Sequence, residues 1–299
     1  MNKKCIFLTN LLILGFISQS LANPILGELP SVLKSGKYQL KKKLIYTVSE
    51  KMWNNDEERQ DYAPESQVKE GFEASEFEIR VELYRVMMEN LEIGVVLPFL
   101  FLKETPYLDA HKNTGHGKGD VELKAKYNFI IDTVDTPAIS GLLAIKLPTG
   151  KEAKRGSSDL PTSSGGTDLI FIGILSKNLK PFTGYLNMGY TITSKGKDKK
   201  GNEINPGNIF LYDLTIDYTL SKRATFVTEL IGKFASEDKD SGKKQIPHTK
   251  SSLTTLLLGI QYETVKLHHL TLETALAIRL TGKNEKTGIA TILGFIYEF

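Results

Sequence analysis

Apolar and polar residues alternate with a period of two along most of this chain. From Glu76 to Tyr84, Phe77, Ile79, Val81 and Leu83 fall on one face and Glu76, Glu78, Arg80, Glu82 and Tyr84 on the other. A helix would mix these sets, whereas an extended strand separates them. The sorting recurs after Asp120, where Val121, Leu123, Ala125, Tyr127 and Phe129 oppose Glu122, Lys124, Lys126 and Asn128. It recurs again at Phe210–Leu220, where Asp213, Thr215 and Asp217 share the polar face, and at Leu270–Leu280, where Glu273, Ala275, Ala277 and Arg279 do. The pattern predicts twelve strands, over 37–50, 71–85, 91–103, 119–130, 137–148, 166–175, 181–193, 209–220, 224–235, 251–262, 267–280 and 287–299.

The connections set the class. A soluble sandwich also alternates, but here long polar connections (near 51–70, 104–118, 149–165, 194–208, 236–250 and 281–286) take turns with short ones (near 86–90, 131–136, 176–180, 221–223 and 263–266). Short periplasmic turns and longer outer loops give a transmembrane barrel that rhythm. An even strand number puts both ends of the barrel on the periplasmic side. The expected fold is therefore all-β, an antiparallel up-and-down transmembrane β-barrel over 37–299. Aromatic residues gather toward strand ends, among them Tyr38, Phe101, Tyr127, Phe129, Phe182, Tyr218, Phe226, Phe234 and Tyr262, as interfacial girdles require. Pro98 and Pro148, which cannot donate to a ladder, are expected at a strand's outward end or at a bulge. In the last strand Leu293, Phe295, Tyr297 and Phe299 form one alternating row that ends on an aromatic. Such a row reads as an assembly signal for the outer-membrane insertion machinery.

The first 22 residues follow another rule. Lys3 and Lys4 precede an apolar stretch from Ile6 to Ile17, and Ser20-Leu21-Ala22 places small residues at a cleavage site. This is the layout of a secretory signal, and the stretch is shorter than the roughly 20 residues a spanning helix needs. Cleavage after Ala22 leaves 23–36 as a periplasmic segment before the barrel. Cys5, the one cysteine, lies in the signal, so disulfides, cysteine nucleophiles and thiolate metal sites are excluded from the mature chain. The chain carries 38 basic and 35 acidic residues, and Lys3 and Lys4 are the only charges before Asn23, so the mature protein is close to neutral. That balance gives no nucleic-acid surface. After the signal no apolar run reaches the length of a membrane helix, and a chain that crosses a membrane without one must use closed strands.

Three short segments carry a family resemblance. Gly117-Lys118-Gly119-Asp120-Val121 opens one strand, Gly165-Gly166-Thr167-Asp168-Leu169 opens another, and Lys146-Leu147-Pro148-Thr149-Gly150 stands between them. The set resembles the outer-membrane transporter family linked to the phenol meta-degradation pathway, the MetA-type barrels. That resemblance implies a barrel that passes or binds hydrophobic organic compounds. It maps no substrate ligand onto a residue, and the long acidic 51–70 segment departs from the family layout. Glycine for a tight loop and aspartate for backbone amides also explain both Gly-Asp copies by folding alone.

The predicted inner face is charged with both signs: Glu78, Arg80, Glu82, Glu122, Lys124, Lys126, Asp213, Asp217, Glu229, Lys233, Glu273 and Arg279 are the lumen-facing candidates. A twelve-strand lumen lies between a filled eight-strand core and an open porin channel. Catalytic chemistry is not expected. None of His111, His116, His248, His268 and His269 has the serine two residues on that barrel lipid hydrolases resemble, and the Asp109/His111 pair lacks a second half. The acidic run Asn54-Asn55-Asp56-Glu57-Glu58 lacks the spacing of a calcium loop, so no metal or other cofactor is expected. Lysines in 195–203 suit lipopolysaccharide phosphates as well as plain solvation. The expected function is passive passage of small, hydrophobic or aromatic molecules by a monomer. Its expected partners are outer-membrane lipid and lipopolysaccharide, the barrel assembly machinery and a small-molecule cargo. The alternatives are a structural or adhesive surface barrel and, behind it, a barrel enzyme acting as lipid hydrolase or protease.

Overall fold

The computed structural model describes residues 26–29, 36–53, 59–60, 73–105, 112–154, 159–197, 202–240, 244–247, 249–264 and 269–299. The signal 1–22, the run 54–58, Asp109, His111, His248 and His268 lie outside the described residues.

Twelve antiparallel strands form the wall. They are β1 (Tyr38–Ser49), β2 (Glu73–Met88), β3 (Leu91–Thr105), β4 (Val121–Ile130), β5 (Ala138–Leu147), β6 (Asp168–Leu179), β7 (Phe182–Ile192), β8 (Ile209–Thr219), β9 (Ala224–Ala235), β10 (Ser251–Glu263), β11 (Leu270–Lys283) and β12 (Ile289–Glu298). Each pairs with its sequence neighbours, and β12 returns to β1 with Gln39 opposite Glu298 and Val48 opposite Ile289. Closure leaves no open sheet edge, so the backbone pairs across the wall as a membrane demands. The seam is tied at its end by Tyr38 N–H to the Phe299 carbonyl at 2.9 Å and Phe299 N–H to the Tyr38 carbonyl at 3.0 Å. The two rings stack 5.5 Å apart.

The period-two alternation becomes an inside and an outside. Leu293, Tyr297 and Phe299 are exposed on the outer face, in one row with half-exposed Phe295. Aromatic contacts mark two belts. Tyr127–Phe129 and Phe182–Tyr218 lie near the short turns, and Phe77–Phe101 and Phe210–Phe234 lie near the long loops.

Three expectations change in detail. The 104–118 connection is mostly paired backbone: Asn113–Lys118 extends the β4 line along Phe99–Glu104 of β3. The line breaks at Gly119 and Asp120, where Gly119 N–H donates to the Pro98 carbonyl at 2.7 Å. Of the two places expected for Pro98, a strand's outward end or a bulge, it takes the second: it faces the irregularity at Gly119–Asp120, where the ladder is interrupted and proline has no N–H to give. β11 runs three residues later than 267–280 at each end. His269 does not open it: with φ at 74° it occupies the left-handed turn before Leu270, outside the extended region a strand requires.

Candidate functional site

Inward-facing side chains fill the barrel unevenly. Ion-paired charge is densest on β1 to β4. On β2, Arg80 Nε donates to Glu78 at 2.7 Å, and the Tyr84 hydroxyl to Glu82 at 2.6 Å. Lys41 of β1 lies 5.3 Å from the centre of the Tyr84 ring, and Lys43 stands 3.9 Å from Glu82. Lys126 of β4 binds Glu92 of β3 at 2.9 Å. Charges taken from water at this depth persist because they are paired and hydrogen-bonded.

Of the lumen-facing candidates, Glu78, Glu82, Lys126, Asp213, Asp217, Glu229 and Glu273 are buried, and Arg80, Glu122, Lys124, Lys233 and Arg279 are half-buried. They do not form one cluster. Asp213, Asp217, Glu229 and Glu273 sit on the far side, on β8, β9 and β11. Lys233 reaches the loop-side rim, where it meets Glu285 at 2.6 Å.

Much of the remaining wall is apolar, and of its residues the sequence pattern placed only Ala275 and Ala277 on the inner face. Leu142 and Ala144 of β5 pack with Ile174, Ile170 and Ile172 of β6. Val227, Leu257, Ala275, Ala277 and Ile292, from β9 to β12, form a second patch with Ile45 and Ala290 against it. These patches and the β2–β4 charges enclose a cavity of about 470 Å³. That is within the roughly 300–1,000 Å³ of small-molecule sites, which are mostly apolar with a few placed polar groups.

Residues 26–29 lie inside the barrel, not in the periplasm where 23–36 was expected. The Leu26 N–H points at the Glu229 carboxylate, 3.2 and 3.1 Å from its two oxygens, and Leu26 touches the second apolar patch. Lys124 Nζ binds Glu28 at 2.7 Å. Burial pushes the Glu28 carboxyl up, but Lys124, Lys41 and Lys126 outweigh it and hold the group below its usual range. The physical reason for the inward course is that the wall leaves these partners for the segment, whereas water would leave Leu26 exposed.

At the loop end the three motif segments meet. Lys146 Nζ lies 2.5 Å from Asp168 and 4.0 Å from Asp120. Asp120 accepts the N–H groups of Gly150 at 3.2 Å and Ser164 at 3.1 Å. Thr149 Oγ1 accepts from Val121 N–H and donates to the Gly119 carbonyl. Gly150 has no room for a side chain, since a Cβ there would lie 2.7 Å from the Thr162 carbonyl oxygen. The network folds the 148–167 connection toward the mouth, and Leu160 N–H bonds the Thr114 carbonyl at 2.9 Å. Leu160 and Pro161 then line a smaller cavity of about 140 Å³ with Glu76, Arg279 and Lys286. Lys286 also reaches Glu104 at 2.8 Å. Thr47, Glu76 and Arg279 border both cavities and so lie between them.

Among the described residues no group of His, Cys, Asp and Glu is arranged to hold a metal ion. The family model described as "Putative MetA-pathway of phenol degradation" matches residues 67–293. The chain belongs to this family. Its fold superposes on a COG4313 outer membrane channel from Pseudomonas putida F1 with a TM-score of 0.75 at 14% identity, over 90% of this chain and 97% of that one. The transport unit of the autotransporter AIDA-I from Escherichia coli gives 0.51 at 11% identity, over 89% and 91% of the two chains. The beta domain of a Bordetella autotransporter gives 0.51 at 10%, over 88% and 99%. At these identities the likeness is one of fold, a closed antiparallel barrel of the kind these outer-membrane proteins share. No curated protein matches the sequence.

Proposed function

We propose that this barrel is a passive conduit for small, predominantly hydrophobic molecules, rather than an enzyme, and that it is exported by cleavage after Ala22. The observation that carries this reading is the two-sided cavity, in which an apolar wall faces the β2–β4 charges, where Arg80 is bound to Glu78 and Lys124 to Glu28. A hydrophobic guest gains burial against Leu142, Ile172 and Ile292 without stripping a counter-ion from its partner. The COG4313 relative in fold is named a channel, which agrees with this role. Entry follows the mouth beside Leu160, and exit requires residues 26–29 to yield.

Single-channel recording of the refolded full mature chain in a planar bilayer tests the conduit. The expected result is a small resting current that falls when an apolar alcohol is added. A heat-modifiable, intact barrel with no current at any voltage would sink the reading. We further propose that the barrel is monomeric, that its rim meets lipopolysaccharide, and that the Leu293–Phe299 row is read by the assembly machinery. Deleting Phe299 should reduce the heat-modifiable form in membranes severalfold, and normal assembly of the deletion would refute that use of the row.

A further inference from the structure

Most cations of the inner wall already hold a carboxylate, as Lys124 holds Glu28, Lys126 holds Glu92 and Lys146 holds Asp168. The far side is the reverse. Among the described residues, Asp213 and Asp217 of β8 and Glu273 of β11 make no salt bridge. Asp213 takes only neutral donors, Asn187 Nδ2 at 3.2 Å and Thr215 Oγ1 at 2.8 Å. Glu273 takes Gln261 Nε2 at 2.8 Å.

This side also has acceptors to spare. Asn187 Oδ1, both oxygens of Asp217 and Glu273 Oε2 are buried without a hydrogen bond. Asn187 is 5% exposed and Asp217 2%. Asp217 lies beside the Tyr185 phenol, yet neither carboxylate oxygen meets hydrogen-bonding geometry. Buried acceptors of this kind call for a partner that brings donors. The register sets Asn187 directly opposite Asp213, so the free amide oxygen and the carboxylate share one spot. Both line the large cavity beside Leu211, Ile172 and Ile231. Asp217 lies four residues further along the same face, roughly 13 Å toward the short-turn end.

An apolar wall bordered by carboxylates and surplus acceptors fits one class of guest. We propose that the barrel selects apolar molecules bearing an ammonium group, with Asp213 and Asn187 taking the cationic head and Asp217 receiving it next. An ammonium supplies three donors and a charge, and charge-assisted hydrogen bonds are about twice as strong as neutral ones. The inference rests on the conduit reading and adds the chemistry of the head group.

The test is calorimetric titration of the full mature chain in lipid nanodiscs with hexylammonium chloride, 1-hexanol and hexanoate, with empty nanodiscs as the blank. Hexylammonium is expected to bind about tenfold more tightly than hexanol, and hexanoate more weakly than either. The double variant Asp213→Asn/Asp217→Asn should lose that advantage while binding hexanol within about twofold of the parent. Heat-modifiable migration of the variant confirms its barrel. If hexanol binds and hexylammonium has no advantage, the ammonium proposal is overturned and the conduit stands. Equal binding of hexanoate, or an advantage that survives the double variant, overturns it too. Binding of none of the three overturns both readings.

Discussion

Strands β1 to β4 and strands β9 to β12 contribute four strands each to one wall, yet they furnish the lumen differently. The first group lines it with charges, several paired locally: Glu78 with Arg80 on one strand, Lys43 with Glu82 and Lys126 with Glu92 across neighbours, while Lys124 and Glu104 take the remote partners Glu28 and Lys286. The second sets Val227, Leu257, Ala275, Ala277 and Ile292, of which three are fully buried, around the few charges Glu229, Lys233, Glu273 and Arg279. The difference teaches that a charged lumen wall need not be a polar pathway. Charges that satisfy one another leave little for a guest, and the surface free to interact is the apolar one together with the unbridged carboxylates of β8.

The contrast can be broken from either side. The largest effect is expected where a charge enters the apolar half. Ile292→Asp puts an unpaired carboxylate at a fully buried position, at a cost of roughly 3–5 kcal/mol. Urea unfolding in detergent should show it as a lower midpoint or an unfoldable chain, and an unchanged midpoint would mean that the patch is wet. A smaller loss is expected in the charged half. Lys126→Met removes the ion pair with Glu92 and should cost about 1–3 kcal/mol, most of it recovered in Lys126→Met/Glu92→Gln. No recovery in that cycle would refute the local pairing.

The smallest effect concerns residues 26–29, which touch both halves. Lys124→Gln should loosen them by about 1 kcal/mol, a factor of about five in the exchange rate of the Leu26 amide. Acid should do the same. The docked Glu28 carboxyl titrates below its usual 4.5. Its contribution is therefore complete above that value and lost as pH falls through the lower docked value. Exchange that accelerates in the parent but not in Lys124→Gln sharpens the assignment; equal acceleration in both counts against it.

Much of the wall was legible because a membrane barrel writes its two faces into alternate residues. Glu76 to Tyr84 separated without ambiguity, and β9 falls on 224–235 as read. Where both faces are apolar the signal vanishes. In β5, Leu142 and Ala144 face the lumen while Leu143 and Ile145 face outward, so alternation could not reveal the inner patch. Loss of alternation in an otherwise alternating chain was the available clue. The inward course of Leu26 to Leu29 had no such trace, since four residues carry no period and their partners, Glu229 and Lys124, are remote in sequence. The paired extension 113–118 was hidden by its glycines, which lower strand propensity although β3 supplies the ladder.

The ammonium of Lys146 answers to two aspartates from different hairpins, Asp120 and Asp168. Three stretches that look separate along the chain are therefore one unit of variation. A change at Gly150 or Asp120 is felt by the 148–167 connection, and through Lys146 by Asp168 and the Ser194 amide beyond it. The mouth therefore holds or loses its shape as one piece, whatever is substituted in the walls beneath it.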